Sequence, residues 1–161
     1  MEATANSGEW SARYMIAAMM IGPLIALAGM KSWLRWILAR RRALGVAAFC
    51  YALLHLVLYL ADMGALNAII AEMLLPGIWT GWAAILIMLP IALSSNDMAL
   101  RRLKTGWKKL QRLVYPAALF TLLHWLWVHS SPVEAMIHFS PLMLLYGLHI
   151  FKIKLPLKQG A

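Results

Sequence analysis

The chain has 161 residues, of which 63% are hydrophobic and 13% charged, and its mean hydropathy is +0.72. A soluble domain of this size keeps far more charge on its surface, so the composition points to a bilayer as the solvent. The formal net charge of +9 would suit a nucleic-acid binder only if the basic residues shared one folded soluble face. They fall instead in short clusters between apolar runs, so no nucleic-acid partner is expected.

The apolar runs fall at 11–30, 43–61, 75–95, 112–129 and 133–151. Each approaches the roughly 20 residues that a helix needs to cross about 30 Å of hydrocarbon. The expected fold is all-α: a polytopic membrane bundle of five transmembrane helices forming a single domain over 1–161. Pro132, Glu134, His138 and Pro141 crowd the start of the fifth run. The longest intervening loops have roughly 14 residues and no Gly-rich phosphate cradle, which leaves no room for a nucleotide or flavin domain.

Between the first and second runs stand Lys31, Arg35, Arg40, Arg41 and Arg42, and between the third and fourth stand Arg101, Arg102, Lys104, Lys108 and Lys109, with Arg112 at the edge. The C-terminal tail adds Lys152, Lys154 and Lys158, which leaves Arg13 as the lone basic residue elsewhere. Glu2, Glu9, Asp62, Glu72 and Glu134 collect on the opposite side, Asp97 being the exception. By the positive-inside rule the N-terminus is outside and the C-terminus cytoplasmic. No basic n-region precedes the first run, so residues 1–28 do not read as a cleaved signal peptide. Trp33, Trp36 and Trp107 fall towards the cytoplasmic ends, and Trp10, Trp79, Trp82, Trp125 and Trp127 towards the outer ends, as two aromatic belts would place them. The arginine clusters are also suited to anionic lipid or an acidic partner.

Ionisable side chains at membrane depth are costly and usually functional. His55 lies about seven residues before the outer end of the second run and His124 about five before that of the fourth, which puts both roughly 8–10 Å below the outer surface. Two neutral imidazoles at one depth on parallel helices suit the axial positions of a haem iron. An interhelical hydrogen bond or a wet cavity accounts for them equally well. Gly45, Ala47, Ala48 and Ala52 would let a flat ring or a neighbouring helix come close. His129, His138 and His149 read as interfacial, with a propionate contact conceivable for His129. His138 and His149 return to nearly the same helix face, which would make a second ligand line. The lone cysteine, Cys50, reads as a packed thiol.

Two stretches carry a family likeness. RRRALGVAAFCYALLHLVLYLADMG (40–64) resembles the third membrane helix of the MsrQ (YedZ) family of ferric-reductase-like transmembrane domains, and SSNDMALRRLKTGWKKLQRLVYPAALFTLLHWLW (94–127) resembles its basic loop and following helix. The likeness runs from about Trp10 to Lys154. It implies a b-type haem protein of the bacterial inner membrane that passes electrons outward, typically to a periplasmic molybdenum enzyme that reduces oxidised methionines. The implied axial ligands are His55 and His124, holding one haem b; a quinol or a flavin reductase would supply electrons. A third family histidine lies 13 residues before the second, where this chain has Gln111. That position is about 20 Å from His124 along a helix, so a second, inner redox station would be missing or altered. The family also has a further helix ahead of the one near Trp10. These departures imply the alternative of a non-catalytic, haem-free accessory subunit packed against a larger membrane complex.

Overall fold

The computed structural model describes residues 2–128 and 132–154. Eight helices run in order among the described residues: α1 (Glu2–Ala28), α2 (Ser32–Met63), α3 (Leu66–Glu72), α4 (Pro76–Leu93), α5 (Asp97–Leu103), α6 (Thr105–Gln111), α7 (Val114–Val128) and α8 (Pro132–Lys154). Four of them, α1, α2, α4 and α8, are long and apolar enough to cross a membrane, and the protein is a multi-pass membrane protein. α7, with 15 residues, is shorter than a full span and is continued towards the basic side by α6.

The break between α6 and α7 has a local cause. Pro116 has no N–H to give the carbonyl of Arg112, and its ring clashes with that carbonyl in a regular helix. The chain tightens there into three-residue bonds, Arg112 N–H to Lys109 O at 3.2 Å, Leu113 N–H to Leu110 O at 3.0 Å and Tyr115 N–H to Arg112 O at 3.1 Å. The ladder resumes with Ala117 N–H to Leu113 O at 3.0 Å.

α1 pairs closely with α2 and α4 with α7, and α8 closes the bundle against α1 and α7. The common core is built from small and flexible side chains, among them Ala12, Met15, Met19, Ala48, Phe49, Met88, Ala117 and Ala118, with Trp125 and Phe139 at the α7–α8 contact. Alanines at the crossings let backbones approach, which is how helices associate where lipid removes any hydrophobic driving force. Large apolar residues such as Val57, Leu86, Leu119 and Leu144 point outward, as a lipid-facing surface requires.

The two ends of the bundle differ in charge. α1, α4 and α8 begin, and α2 and α7 finish, at an acidic end that carries Glu9, Asp62, Glu72 and Glu134; the opposite, basic end carries the arginine clusters. The expected first loop is instead helix: only residues 29–31 separate α1 from α2, with Gly29 at φ 75° making the turn. Lys31 precedes α2 and Arg35 and Arg40–Arg42 lie inside it, because nothing in SWLRWILARRR breaks a helix. α2 thus runs 32 residues, about 48 Å at 1.5 Å per residue, and ends at Gly64 in the left-handed region (φ 65°). The second basic stretch folds as α5 and α6, with Asn96 capping α5 by accepting from Ala99 N–H at 2.8 Å. α1 starts well ahead of residue 11, so the polar segment EATANSGEW is helix, and it packs with one face, centred on Ser7, against the bundle.

Candidate functional site

That early start of α1 builds half of the site. In an α-helix the carbonyl of residue i is covered by the side chain of residue i+4, and a glycine there leaves it open to an outside donor. Thr4 and Gly8 stand in that relation on α1, and Gly77 and Gly81 on α4. His55, from α2, has Nδ1 2.7 Å from Thr4 O, and His124, from α7, has Nδ1 2.6 Å from Gly77 O. A carbonyl only accepts, so each Nδ1 carries the proton and the neutral ring has its lone pair on Nε2.

The glycines are sterically required. A Cβ at Gly81 would stand 2.7 Å from Nδ1 and 2.8 Å from Cε1 of His124, and one at Gly8 would stand 2.9 Å from Nδ1 and 3.1 Å from Cε1 of His55. Gly77 is equally tight, its Cβ position lying 2.8 Å from Val128 Cγ2. A hydroxyl completes each cradle: Ser7 Oγ donates to Thr4 O at 2.8 Å, and Thr80 Oγ1 to Gly77 O at 2.9 Å and Pro76 O at 2.8 Å. The two halves therefore share one pattern, a carbonyl at i, a hydroxyl at i+3 and a glycine at i+4, written TANSG in α1 and GIWTG in α4.

These cradles bring the two imidazoles together edge-on. Their ring centroids are 5.9 Å apart with planes at 82°, and both rings border a cavity of about 670 Å³. Its walls are largely apolar, with Ala52, Leu56, Ile85 and Met88 among them, while Glu9, Tyr59, Asp62 and Glu72 lie towards the acidic end. Thr4 Oγ1 donates to Asp62 Oδ2 at 2.7 Å, and Tyr59 OH to Glu72 Oε2 at 3.3 Å. Two opposed imidazoles in an apolar slot of this size can hold, from both sides, a metal whose remaining positions are filled by a planar ligand.

Gln111 is not part of that chamber. Its amide donates to Ile91 O at 3.2 Å and to Ser94 Oγ at 3.1 Å, and Trp107 Nε1 donates to Ser94 O at 2.8 Å. Both side chains serve the C-terminal carbonyls of α4, which no further helical N–H can satisfy. Towards the basic end, the space among Met15, Ala48, Phe49, Met88 and Val114 is only about 40 Å³. Beyond it Arg42 pairs with Asp97, and the guanidinium holds that carboxyl below the usual carboxylate range.

Several other residues stand apart from the expected pattern. His138 joins three helices: it accepts from Arg13 Nε at 3.2 Å through Nε2, donates from Nδ1 to Glu134 O at 2.8 Å, and lies against Trp125 with centroids 5.1 Å apart. His149 is half-buried, and its Nδ1 is enclosed without a hydrogen-bond partner among the described residues. His129 lies outside the described residues. Trp125 is 4% exposed and belongs to the core, not to an interfacial belt, while Trp10, Trp33, Trp36, Trp79 and Trp127 are exposed. Cys50 is exposed, not packed, because it falls on the outward face of α2. Of the small residues near His55, Ala48 and Ala52 are buried, and a Cβ at Gly45 would meet nothing.

Residues 7–122 match the family described as ferric reductase like transmembrane component. Among curated proteins, the protein-methionine-sulfoxide reductase heme-binding subunit MsrQ of Xanthomonas euvesicatoria is 35% identical over 151 residues, covering 91% of this chain and 67% of that protein. The protein of the same name from Xanthomonas axonopodis is 35% identical over 158 residues, covering 96% and 70%, and that of Brucella anthropi is 36% identical over 135 residues, covering 81% and 59%. No solved structure matches the chain. The chain belongs to the ferric-reductase-like transmembrane family, in its MsrQ (YedZ) branch.

Proposed function

We propose that this member of the family is a membrane electron-transfer subunit that holds one b-type haem between His55 and His124. The observation that carries the reading is the pair of imidazoles opposed at 5.9 Å, each with its Nδ1 tied to a backbone carbonyl. With Nδ1 of each ring tied to a carbonyl, Nε2 of His55 and of His124 would be the atoms that hold an iron between the rings, so the donor set fits. Among the described residues no cluster of three or more His, Cys, Asp or Glu is placed for a metal ion. Two imidazoles would therefore suit a haem iron better than a bare ion.

When bound, the haem supplies a one-electron ferric–ferrous couple; the chain supplies the rest. Thr4 and Gly77 fix the tautomer that presents Nε2, and a carbonyl partner of this kind raises the basicity of a ligating histidine. Gly8 and Gly81 let the rings come close to α1 and α4. The apolar walls keep water from the iron, and the acidic end leaves the chamber open towards one membrane face.

The relatives are named as haem-binding subunits of a protein-methionine-sulfoxide reductase, so the acceptor is the catalytic component of such a system. The clustering of basic residues at one end orients the chain with its N-terminus outside and C-terminus inside, in a bacterial inner membrane, with α6–α7 as a fifth span. The acceptor then meets the acidic, periplasmic end. With Gln111 engaged on α4, a quinol at membrane depth would be a more ready electron donor than a cytoplasmic flavin reductase.

A second reading, a haem-free accessory subunit in a larger complex, is favoured by Gln111 alone. The test is the colour of the purified chain. A reducible b-type spectrum at about one haem per chain, bleached by His55→Ala or His124→Ala, supports the first reading. A colourless preparation from haem-replete cells leaves the second.

A further inference from the structure

Ser7 and Thr80 are buried, at 4% and 0% exposure, on two different helices. Serine and threonine in apolar helices commonly bond back to a carbonyl one turn earlier, which satisfies the hydroxyl and needs no particular carbonyl. Here each hydroxyl also reaches the carbonyl that receives an imidazole: Thr4 O takes Ser7 Oγ and His55 Nδ1, and Gly77 O takes His124 Nδ1 and a share of Thr80 Oγ1, whose proton is divided with Pro76 O at 2.8 Å. The repetition of this arrangement in both helix pairs is not a requirement of hydroxyl satisfaction.

A carbonyl oxygen has two lone pairs, and the helix amide of residue i+4 already uses part of that capacity. Every further donor draws density from the oxygen and weakens it as an acceptor for the others. We infer that Ser7 and Thr80 are matched positioning residues, which set how strongly Thr4 O and Gly77 O pull on the Nδ1 protons of His55 and His124. A stronger pull makes the imidazole more basic, and a more basic axial ligand favours ferric over ferrous iron. The hydroxyls thus hold the potential of the site up. The redox part of this inference rests on the haem reading above.

The experiment compares Thr80→Val, Ser7→Ala and the double variant with the unaltered full chain in detergent micelles. The expected result is an unchanged haem content and low-spin spectrum with a midpoint potential moved in the negative direction. Each single change shifts the ratio of oxidised to reduced haem at fixed poise about threefold to tenfold, tenfold being 59 mV for one electron, and Thr80→Ser restores the original value. A red, folded Thr80→Val or Ser7→Ala protein with an unmoved potential overturns the inference and leaves the haem reading intact. A colourless unaltered chain overturns the haem reading, and the hydroxyl role is then decided by a second readout. With ¹⁵N-labelled histidine, the Nδ1–H signal of His124 should move downfield in Thr80→Val, and that of His55 in Ser7→Ala. Unshifted signals overturn the coupling itself.

Discussion

Where His55 and His124 meet, the α1–α2 pair stands back from the α4–α7 pair across about 670 Å³ of space. A few turns nearer the basic end the same helices close on Phe49, Met15 and Met88, and about 40 Å³ remains. Both halves contain polar side chains from α7 or its extension bonded to α4: His124 to Gly77 O in the open half, Gln111 to Ile91 O and Ser94 Oγ in the closed one. The difference lies in what is left over. An imidazole that gives Nδ1–H to a carbonyl retains a lone pair on Nε2 for a metal. A primary amide that donates to two acceptors of a helix end has no comparable ligand to offer. A polar residue at membrane depth thus becomes a site or a seal according to its second atom and the room beside it.

The contrast can be broken most directly at the imidazoles. His124→Ala or His55→Ala should abolish nearly all b-type absorbance while the protein still inserts and purifies; retention of a full spectrum would place the haem elsewhere. Next comes Gly81→Ala, whose new Cβ would meet two ring atoms of His124 at 2.7 and 2.8 Å. The loss of a ligand's outer partners commonly costs 10–100-fold in metal affinity, and haem retention during dilution should fall by about that factor. Gly8→Ala should do the same more weakly, because its contacts to His55 are longer, at 2.9 and 3.1 Å. The reverse ranking would contradict the cradle geometry.

Gln111→Ala should leave the spectrum intact and lower thermal stability by about 0.5–1.5 kcal/mol, the usual net worth of a lost hydrogen bond. Gln111→His sharpens the point: with about 40 Å³ among Met15, Ala48, Phe49, Met88 and Val114, it should not take up a second haem, and a haem-to-chain ratio near two would show room for one towards the basic end. The smallest effect concerns Arg42 and Asp97 at the basic end. The Asp97 carboxyl is held below its ordinary range by Arg42, so the pair contributes stability above the unfolded carboxylate value, about 3.9. That contribution is lost as pH falls through the lowered folded value. Melting curves of Asp97→Asn and the unaltered chain should therefore differ slightly at neutral pH and converge in acid. A difference that grew in acid would have the wrong sign.

Much of the helical architecture was legible in the sequence because a bilayer demands long apolar runs, and the runs around 75–95, 112–129 and 133–151 lie close to α4, α7 and α8. The starts of α1 and α2 were not, for opposite reasons. EATANSGEW is too polar to look membrane-embedded, yet it is helical and turns the face bearing Ser7 to the bundle, where Ser7 Oγ and His55 both bond Thr4 O. SWLRWILARRR looks like a charged loop, yet a helix tolerates arginines that project into headgroups. His55 and His124 could be singled out because ionisable residues are rare at depth. Their partners could not, since a carbonyl leaves no mark on the sequence and the second hydroxyl–glycine pair sits in GIWTG, which reads as greasy filler. The signal that could have found them is the shared spacing of Ser7–Gly8 and Thr80–Gly81, each one turn after the start of a helix that faces a histidine.

Each histidine leans on a carbonyl from its own helix pair: His55 of α2 on Thr4 of α1, and His124 of α7 on Gly77 of α4. Anything gripped by both rings would therefore rivet one hairpin to the other. Occupancy and fold stability become a single equilibrium, because a ligand that binds only the folded chain adds about 2.7 kcal/mol at a hundredfold excess over its Kd. A cell short of that ligand would then hold a looser bundle, and membrane proteases rather than redox partners would be the first to register the shortage.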